Sequence, residues 1–361
     1  MFSPDISCEI HIYKQMMSAT NYFEKPAFSP EAGVMTVRPS STALLTIDSQ
    51  NRFDNYVQQN AALTSITANN NSPYDFSITK RESIMNGFFT RLGLTEVVFP
   101  WAIPNINPKT NQMIVQYGTS PSLTTATITL DEDWYKPHDL ATALQTAVRR
   151  LSATLSGFEV QYAPTFTGQP TNPPSFYYET NSAADIAFFP MPYNSSNYPY
   201  PSTTKQLFNV LGFTNANSVP DLVGNGTYTL CQSTRYVDIV CSQLAYNQAL
   251  KDTTTQQVGL DSLCRLYLGD ANGFGANTLN PSDSNFCPPG CAPSVIYRQF
   301  QTPKMIMWNS AGKSYQPVPG VLRFQVFDDQ GAILTEIASS QGGGVPADYL
   351  DWSATVLVSE N

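Results

Sequence analysis

The feature that most constrains the fold of this chain is a long series of short strand-like runs, separated by turns rich in proline and glycine. YDFSIT (74–79) alternates apolar Tyr74, Phe76 and Ile78 with polar residues, which is the pattern of a half-buried strand. Similar runs extend from TALLTID (42–48) to the C-terminal WSATVLVS. Many short strands joined by such turns predict an all-β sandwich or jelly roll.

One block of the sequence changes from the strand period to the helical period. Residues 137–157 form the clearest helical segment, with an apolar face made of Leu140, Leu144, Val148 and Leu151. Gly157 is a stop signal, and a second short helix is predicted at 204–213. Strand-like runs flank both helices, so we expect an α+β subdomain inserted into the sandwich.

These patterns divide the chain into an arm, a sandwich and an insertion. Residues 1–40 have scattered turn formers and little periodicity, and we expect them to form an N-terminal arm. The predicted jelly-roll sandwich comprises 41–109 and 216–361, and the predicted insertion subdomain comprises 110–215. The expected fold class is therefore all-β dominated: a single jelly-roll sandwich with an inserted strand-helix-strand subdomain and an N-terminal arm.

Charge is scarce in this chain. Charged residues make up 13% of it, about half of the ~25% typical of soluble domains. Interfaces are depleted of Lys, Glu and Asp and enriched in aromatic residues, so the composition favours an assembly subunit. A β-rich protein with uncharged polar loops would have the same composition. The net charge of −9 argues against direct nucleic-acid binding, because no excess of basic residues is available to neutralise phosphates.

The sequence also lacks membrane and secretion signals. No window holds the ~18 consecutive apolar residues that a membrane-spanning helix needs. Residues 1–30 do not show the charged-then-apolar pattern of a signal peptide. We therefore expect a soluble chain without a membrane span.

Two histidines are the only candidates for histidine-based catalysis. His11 lies in the arm, and His138 follows Pro137 at a predicted helix start, where a helix-terminal residue is the simpler interpretation. The pair Asp48-Ser49 is not followed by glycine, so it does not match the Asp-Thr/Ser-Gly motif of aspartic proteases. We predict no catalytic residue and no enzyme activity.

Two clusters offer metal-ligand chemistry. Asp131-Glu132-Asp133 provides three carboxylates for a hard cation, but at a strand-to-helix transition a solvated turn is the simpler explanation. A small hydrolase built on Asp131 or Asp133 is the corresponding enzymatic alternative. Cys287-Pro-Pro-Gly-Cys291 lacks two further zinc ligands at suitable spacing, so ordinary thiols or one local disulfide are expected there. We predict no metal site and no cofactor.

LTIDSQNRF (45–53) is predicted to end an early strand of the sandwich. Asp48 and Ser49 can form hydrogen bonds with the local backbone and turn the chain, and Arg52 can pair with a carboxylate. Whether that carboxylate belongs to the same subunit or to a neighbour is left open.

A second turn is predicted late in the chain, within VLRFQVFDDQGAILTEI (321–337). Its Asp329-Gln330-Gly331 would join two hairpin strands, which also accounts for the adjacent acids Asp328 and Asp329. The residues predicted to shape turns or interfaces are Asp48, Ser49, Arg52, Pro104, Asn105, Trp308, Asp329 and Gly331.

The succession of segments resembles the penton, or minor capsid, jelly-roll proteins of eukaryotic double-stranded DNA viruses: virophages, polinton-like viruses and the nucleocytoplasmic large DNA viruses. LTIDSQNRF resembles an early Asp-Ser-x-x-Arg element, and VVFPWAIPNIN resembles an apolar run ending in a proline-asparagine loop. LDEDWYKPHDLATALQTAVRR, followed by FEVQY, resembles the strand-helix-strand unit of such capsid proteins. The expected order continues with QLFNVLGF, RYVDIVCSQL, PKMIMWN and GVLRFQVFDDQGAIL, so the resemblance spans about residues 40–338.

The resemblance implies a structural capsid protein, most simply the penton subunit, which forms pentamers at the fivefold vertices of an icosahedral virion. The implied partners are copies of the chain itself, neighbouring major capsid protein trimers and other minor capsid proteins, in a virion assembled in the host cell. A length of 361 residues fits one jelly roll with an insertion and an arm, whereas two full jelly rolls would be cramped.

Alternatives to the penton remain open. They are another minor capsid protein, the double-jelly-roll major capsid protein and, from another class, a carbohydrate-binding or host-attachment jelly-roll module. The 19 tyrosines of the chain would permit sugar stacking in such a module.

Overall fold

A computed structural model of the protein describes residues 42–51, 72–79, 91–163, 174–180, 184–192, 198–201, 204–241, 262–268, 281–301, 306–307, 321–334 and 351–359. The predicted arm at 1–40 and two predicted site residues, Arg52 and Trp308, lie outside these ranges.

Strands dominate the described part of the chain, as predicted. They are β1 (Thr42–Asp48), β2 (Asp75–Thr79), β3 (Arg91–Trp101), β4 (Gln112–Thr119), β5 (Ser122–Thr129), β6 (Phe158–Tyr162), β7 (Phe176–Thr180), β8 (Asp185–Phe189), β9 (Val223–Asn225), β10 (Tyr236–Val240), β11 (Ser262–Tyr267), β12 (Ser294–Gln299), β13 (Ile306–Met307), β14 (Val321–Asp328) and β15 (Ser353–Ser359). The α-helices are α1 (Pro137–Arg149) and α2 (Leu207–Val210).

Two antiparallel sheets form the sandwich. One has the strand order β1-β15-β3-β12, with β13 also pairing with β3, and the other has the order β11-β10-β14-β2. When the eight main strands are lettered B to I in chain order, the sheets read B-I-D-G and C-H-E-F. This is the strand order of a jelly roll, so the predicted fold class is confirmed.

The first hydrophobic core lies between these two sheets and follows from alternation along the strands. In β2, Phe76 and Ile78 are buried in this core, whereas the alternate residues Asp75 and Ser77 face outward. Phe76 packs against Phe324 and Trp352, with ring centroids 5.6 Å and 5.7 Å apart. The buried indole N–H of Trp352 donates a hydrogen bond to the Pro73 carbonyl at 2.6 Å, so this polar atom is satisfied inside the core.

The chain between β3 and β10 builds a second hydrophobic core. It contains two three-stranded antiparallel sheets, β5-β4-β8 and β6-β7-β9, and α1, which packs against β6. The core runs from Ile106 to Cys231 and includes Phe286 from the segment before β12. The predicted domain boundaries at 110 and 215 stay a prediction.

Helix α1 buries its predicted apolar face but ends earlier than predicted. Leu140, Leu144 and Val148 are buried in the second core. The helix ends at Arg149 rather than near Gly157, because the next residues form a separate 3-10 turn at Ala153–Leu155. The hydroxyl of the preceding serine caps that turn by accepting a hydrogen bond from the Thr154 N–H.

Helix α2 is a single turn instead of the predicted segment 204–213. Gln206 is its N-cap residue, with an extended backbone (φ −111°, ψ 175°), and its side chain is hydrogen-bonded to both backbone polar groups of Met191. Gly212 ends the helix as predicted: its φ is +71°, and a Cβ there would lie 2.4 Å from the Thr227 carbonyl oxygen.

Substitutions of two leucines test which side chains point into the core and which point to solvent. Leu322 on β14 is buried in the first core, whereas Leu222, next to β9, is exposed. Leu322→Ala leaves a cavity and is expected to lower the free energy of unfolding by about 2–5 kcal/mol. Leu222→Ala is the matched control and should change it by less than about 0.5 kcal/mol. Urea unfolding followed by tryptophan fluorescence measures both, and equal effects would contradict the assigned register.

Candidate functional site

Ser49 connects the end of β1 to the start of β15. Its N–H donates to the Trp352 carbonyl at 2.9 Å, and its Oγ accepts from the Trp352 N–H at 3.0 Å. The same hydroxyl donates to Asp351 Oδ1 at 2.6 Å. The neighbouring Asp48 makes a local contact instead, because its Oδ1 accepts a hydrogen bond from the Gln50 N–H. Ser49 is thus a buried link between distant strands as well as part of a turn.

The proline-asparagine loop after β3 is a buried connection into the second core. Asn105 Oδ1 accepts from the Tyr135 N–H, and Asn105 Nδ2 donates to the Tyr135 carbonyl, both at 2.8 Å. The Pro104 carbonyl accepts from Asn107 Nδ2 and from Ser233 Oγ, each at 3.1 Å. These bonds fix the path of the chain where it leaves the sandwich.

The turn after β14 contacts that same region. Asp328 Oδ1 accepts from the N–H groups of Gln330 and Ala332, and Gly331 has a φ of +82°, so the predicted turn is present. Asp328 Oδ2 accepts from Lys109 Nζ at 2.9 Å, and both side chains are buried. Explaining the adjacent acids by the turn alone is therefore wrong, because one oxygen of Asp328 serves a long-range ion pair.

Asp329 lies beside further basic groups. Its buried carboxylate accepts from the Arg235 N–H at 3.1 Å and lies 3.4 Å from Arg235 Nε. Lys205 donates from Nζ to the Gln232 carbonyl and from its backbone N–H to Gln330 Oε1. Burial lowers the pKa of Lys205 and raises the pKa of Asp329. We call the set Lys109, Lys205, Arg235, Asp328 and Asp329 the polar junction.

The acidic run before α1 does not form a metal site in the structure. Asp133 Oδ1 accepts from the Trp134 N–H, and the Asp133 backbone pairs with Ile106. Throughout the described ranges, no group of three or more His, Cys, Asp and Glu side chains is arranged to hold a metal ion.

The remaining chemically reactive candidates make structural contacts. Cys287 and Cys291 are joined as a disulfide, with their Cα atoms 5.7 Å apart. His138 Nε2 lies 2.9 Å from the Pro281 carbonyl oxygen, and its ring packs edge-on against Tyr162. No helix within the described residues is long and apolar enough to cross a membrane.

The outer face of the β11-β10-β14-β2 sheet carries two arginines that are each paired with an acid. Arg265 pairs with Asp238 through two hydrogen bonds of 2.9 Å, and its guanidinium carbon lies 3.9 Å from the ring centroid of Tyr236. Tyr267 on the neighbouring strand packs edge-on against Tyr236. The hydrogen bonds to Asp238 raise the pKa of Arg265 further, so the guanidinium stays charged.

A second pair, Arg323 with Asp75, repeats this arrangement at the other side of the sheet, with bonds of 2.9 Å and 2.7 Å. In both pairs the arginine is the more exposed partner: the side chains are 30% against 4% exposed for Arg265 and Asp238, and 53% against 23% for Arg323 and Asp75. We call this surface, made of Tyr236, Arg265, Tyr267 and Arg323, the arginine–tyrosine face.

The outer face of the other sheet has a different chemistry. Its outward positions carry exposed or half-exposed apolar groups, and we call this surface the apolar face: Leu44, Val98, Val295, Tyr297 and Leu357. Leu44 pairs with Leu357 across β1 and β15, and Tyr297 pairs with Val98 across β12 and β3. Glu96 lies on the same side, and its hydrogen bond to Tyr297 raises the pKa of that tyrosine. Sequence alternation could have found both faces, but not which strands lie side by side.

Comparison with known proteins finds a structural likeness. The chain is similar to the crystal structure of selenomethionine-labelled mavirus penton protein, with a TM-score of 0.43 and 10% sequence identity. The match covers 90% of this chain and 99% of that chain. No protein-family model matches the chain, and no curated protein matches it in sequence.

Removing the Ser49 hydroxyl should weaken the sandwich. Ser49→Ala leaves the buried Trp352 N–H without its acceptor, which is expected to cost about 1–3 kcal/mol of unfolding free energy. Ser122→Ala, at an exposed position of β5, is the matched control and should cost less than about 0.5 kcal/mol. Urea unfolding gives both values, and a cost no larger than that of the control would show that the link contributes little.

Lys205 leads to a prediction about pH. Because burial lowers its pKa in the folded protein, the folded chain loses this proton at a lower pH than the unfolded chain does. The contribution of Lys205 to stability therefore rises with pH between the lowered pKa and the ordinary value of 10.5. We expect the stability of the wild type relative to Lys205→Met to increase as the pH rises towards the ordinary lysine pKa of 10.5.

Urea unfolding at several pH values measures this difference. Lys136→Met is the control for the loss of a lysine. Lys136 is the residue just before α1, it is partly exposed, and its Nζ lies 3.4 Å from Asn285 Oδ1. The same pH trend in both variants would contradict the role assigned to burial of Lys205.

Proposed function

We propose that this protein is a structural capsid protein, and that it is the penton subunit, forming homopentamers at the fivefold vertices of an icosahedral virion of a double-stranded DNA virus. The observation that supports the proposal most is the jelly-roll sandwich in B-I-D-G and C-H-E-F order, with exposed side chains on the outer faces of both sheets. The sequence resemblance to jelly-roll capsid proteins points to the same role.

The two outer faces suit assembly into a ring. Around a closed ring each subunit contacts its two neighbours through two different surfaces, and these surfaces must be complementary. The arginine–tyrosine face and the apolar face are such a pair, because they lie on different sheets and differ in chemistry. Aromatic residues and arginine are the types enriched at protein interfaces, whereas Lys, Glu and Asp are depleted there.

The other parts of the chain take roles around this ring. In the proposal, residues 110–215 form an insertion subdomain that faces outward, and residues 1–40 form an arm that contacts neighbouring subunits. The partners are major capsid protein trimers and other minor capsid proteins, in virions assembled in the host cell. The protein does not contact the genome directly, because neither face carries an excess of basic side chains over acidic ones among the described residues.

The proposed mechanism is burial and shape complementarity, without bond chemistry. The bonds of Asn105 to the Tyr135 backbone and of the Lys205 N–H to Gln330 join the insertion to the sandwich. A subunit of a shell needs this, because a displaced insertion would change the outer surface of the vertex. We propose no catalytic residue, metal or cofactor.

Native mass spectrometry of the full chain tests the proposal. We expect a mass of five copies, which follows from a ring at a fivefold vertex. Three copies would instead support a major capsid subunit, and a monomer at every concentration would contradict a homo-oligomeric penton. Electron cryomicroscopy of virions gives the second test, because density for this chain should lie on the fivefold axes.

A further inference from the structure

We infer that the arginine–tyrosine face of one copy docks on the apolar face of the next copy in the ring. This inference rests on the proposed function, because it requires a second copy of the chain as the partner. It extends the proposed function by specifying which two surfaces meet and which side chains contribute most to the contact.

The first step is the charge that each face presents to a partner. The pairs Arg265–Asp238 and Arg323–Asp75 are neutral when summed, yet their arginines are more exposed than their acids. A partner that approaches this face therefore meets guanidinium groups and tyrosine rings. Arginine suits such a position, because its guanidinium is weakly hydrated and stacks on aromatic rings.

The second step is the charge on the apolar face. Among the described side chains at outward positions of β1, β15, β3 and β12, the charged ones are Asp48 and Glu96, and both are partly exposed. Its other outward side chains are apolar groups, threonine, serine, Tyr297 and the exposed Gln299, and the exposed Arg298 lies beside them on β12. The face therefore presents carboxylates within an apolar surface, which complements guanidinium groups within an aromatic surface.

The third step compares the possible pairings. Two arginine–tyrosine faces in contact would bring guanidinium groups together, and two apolar faces would bring carboxylates together. Like charges that meet in a desolvated interface are costly, so both symmetric pairings are disfavoured. The mixed pairing places arginines opposite acids and continues from subunit to subunit, as a closed ring requires.

The fourth step identifies the side chains that carry most of the contact. Arg265 is held by Asp238 on one side and by the Tyr236 ring on the other, so little side-chain entropy is left to lose on binding. Tyr267 stands beside it and is 52% exposed. Tyrosine and arginine are the types most often found at interface hot spots, so we assign the centre of the contact to these two residues.

Two charge-introducing variants test the inference, each with a matched control. Tyr267→Glu places a carboxylate opposite Asp48 and Glu96, and its control is Tyr228→Glu, at a tyrosine that is 53% exposed on the insertion side. Leu44→Arg places a guanidinium opposite the arginines, and its control is Val219→Arg, since these residues are 69% and 61% exposed. Native mass spectrometry should show monomers for both test variants and wild-type rings for both controls.

A mixture of the two test variants separates this pairing from any other. Tyr267→Glu keeps an intact apolar face, and Leu44→Arg keeps an intact arginine–tyrosine face. Mixed in equal amounts at a concentration where the wild type forms rings, they should form heterodimers through the one intact pair of faces, without rings. Circular dichroism checks folding, and Tyr267→Ser or Tyr297→Arg replaces a test variant that does not fold.

The outcomes distinguish this inference from the proposed function. If the wild type forms rings and either test variant forms rings of the same stability, the inference is overturned and the proposed function stands. Monomeric variants whose mixture gives no heterodimer also overturn the pairing. A wild type that does not oligomerise overturns both.

Discussion

The sandwich depends on the hydrogen bonds of its last strand, because β15 lies between β1 and β3 in one of the two sheets. Ser49 completes this arrangement by bonding to Asp351 and Trp352, which are 302 and 303 positions away. Contacts of such long sequence separation form late, because closing the chain costs entropy before any contact rewards it. The first core is therefore complete only when the C-terminal segment, with Trp352, is in place.

Buried polar groups, as well as apolar packing, join this sandwich to the chain that leaves β3 and builds the second core. Taking two charges out of water costs several kcal/mol per ion, so the pair between Lys109 and Asp328 contributes little net stability. Its geometric requirement is strict, however, because either charge without its partner would be buried and uncompensated. Together with Asn105, which bonds both polar groups of the Tyr135 backbone, the pair ties the sandwich to the start of the second core.

The sequence predicted the features that depend on interactions between residues close together in the chain, and it missed those that depend on distant residues. Strand runs, the apolar face of α1 and the turn at Gly331 depend on neighbouring residues, so periodicity and turn chemistry were sufficient to find them. Ser49 and Asp328 looked like turn residues, because their second partners lie hundreds of positions away and leave no mark on local spacing. Helix ends were misjudged for a local reason. A separate 3-10 turn follows α1, and Gln206 is the N-cap of α2 with an extended backbone, although its propensity allows a helix.

The structure shows how the few charged side chains are arranged on the surface, which composition alone does not show. A neutral Arg–Asp pair has no net charge, but it presents mainly the charge of its more exposed partner to a surface in contact with it. In the arginine–tyrosine face the arginines are more exposed than the acids, so a neutral surface presents positive charge at contact distance and little field at long range. Screening removes the weak far field, whereas desolvation strengthens the near contact. Such a face discriminates among surfaces only once they touch, which favours a specific contact over the many orientations in which two surfaces can meet.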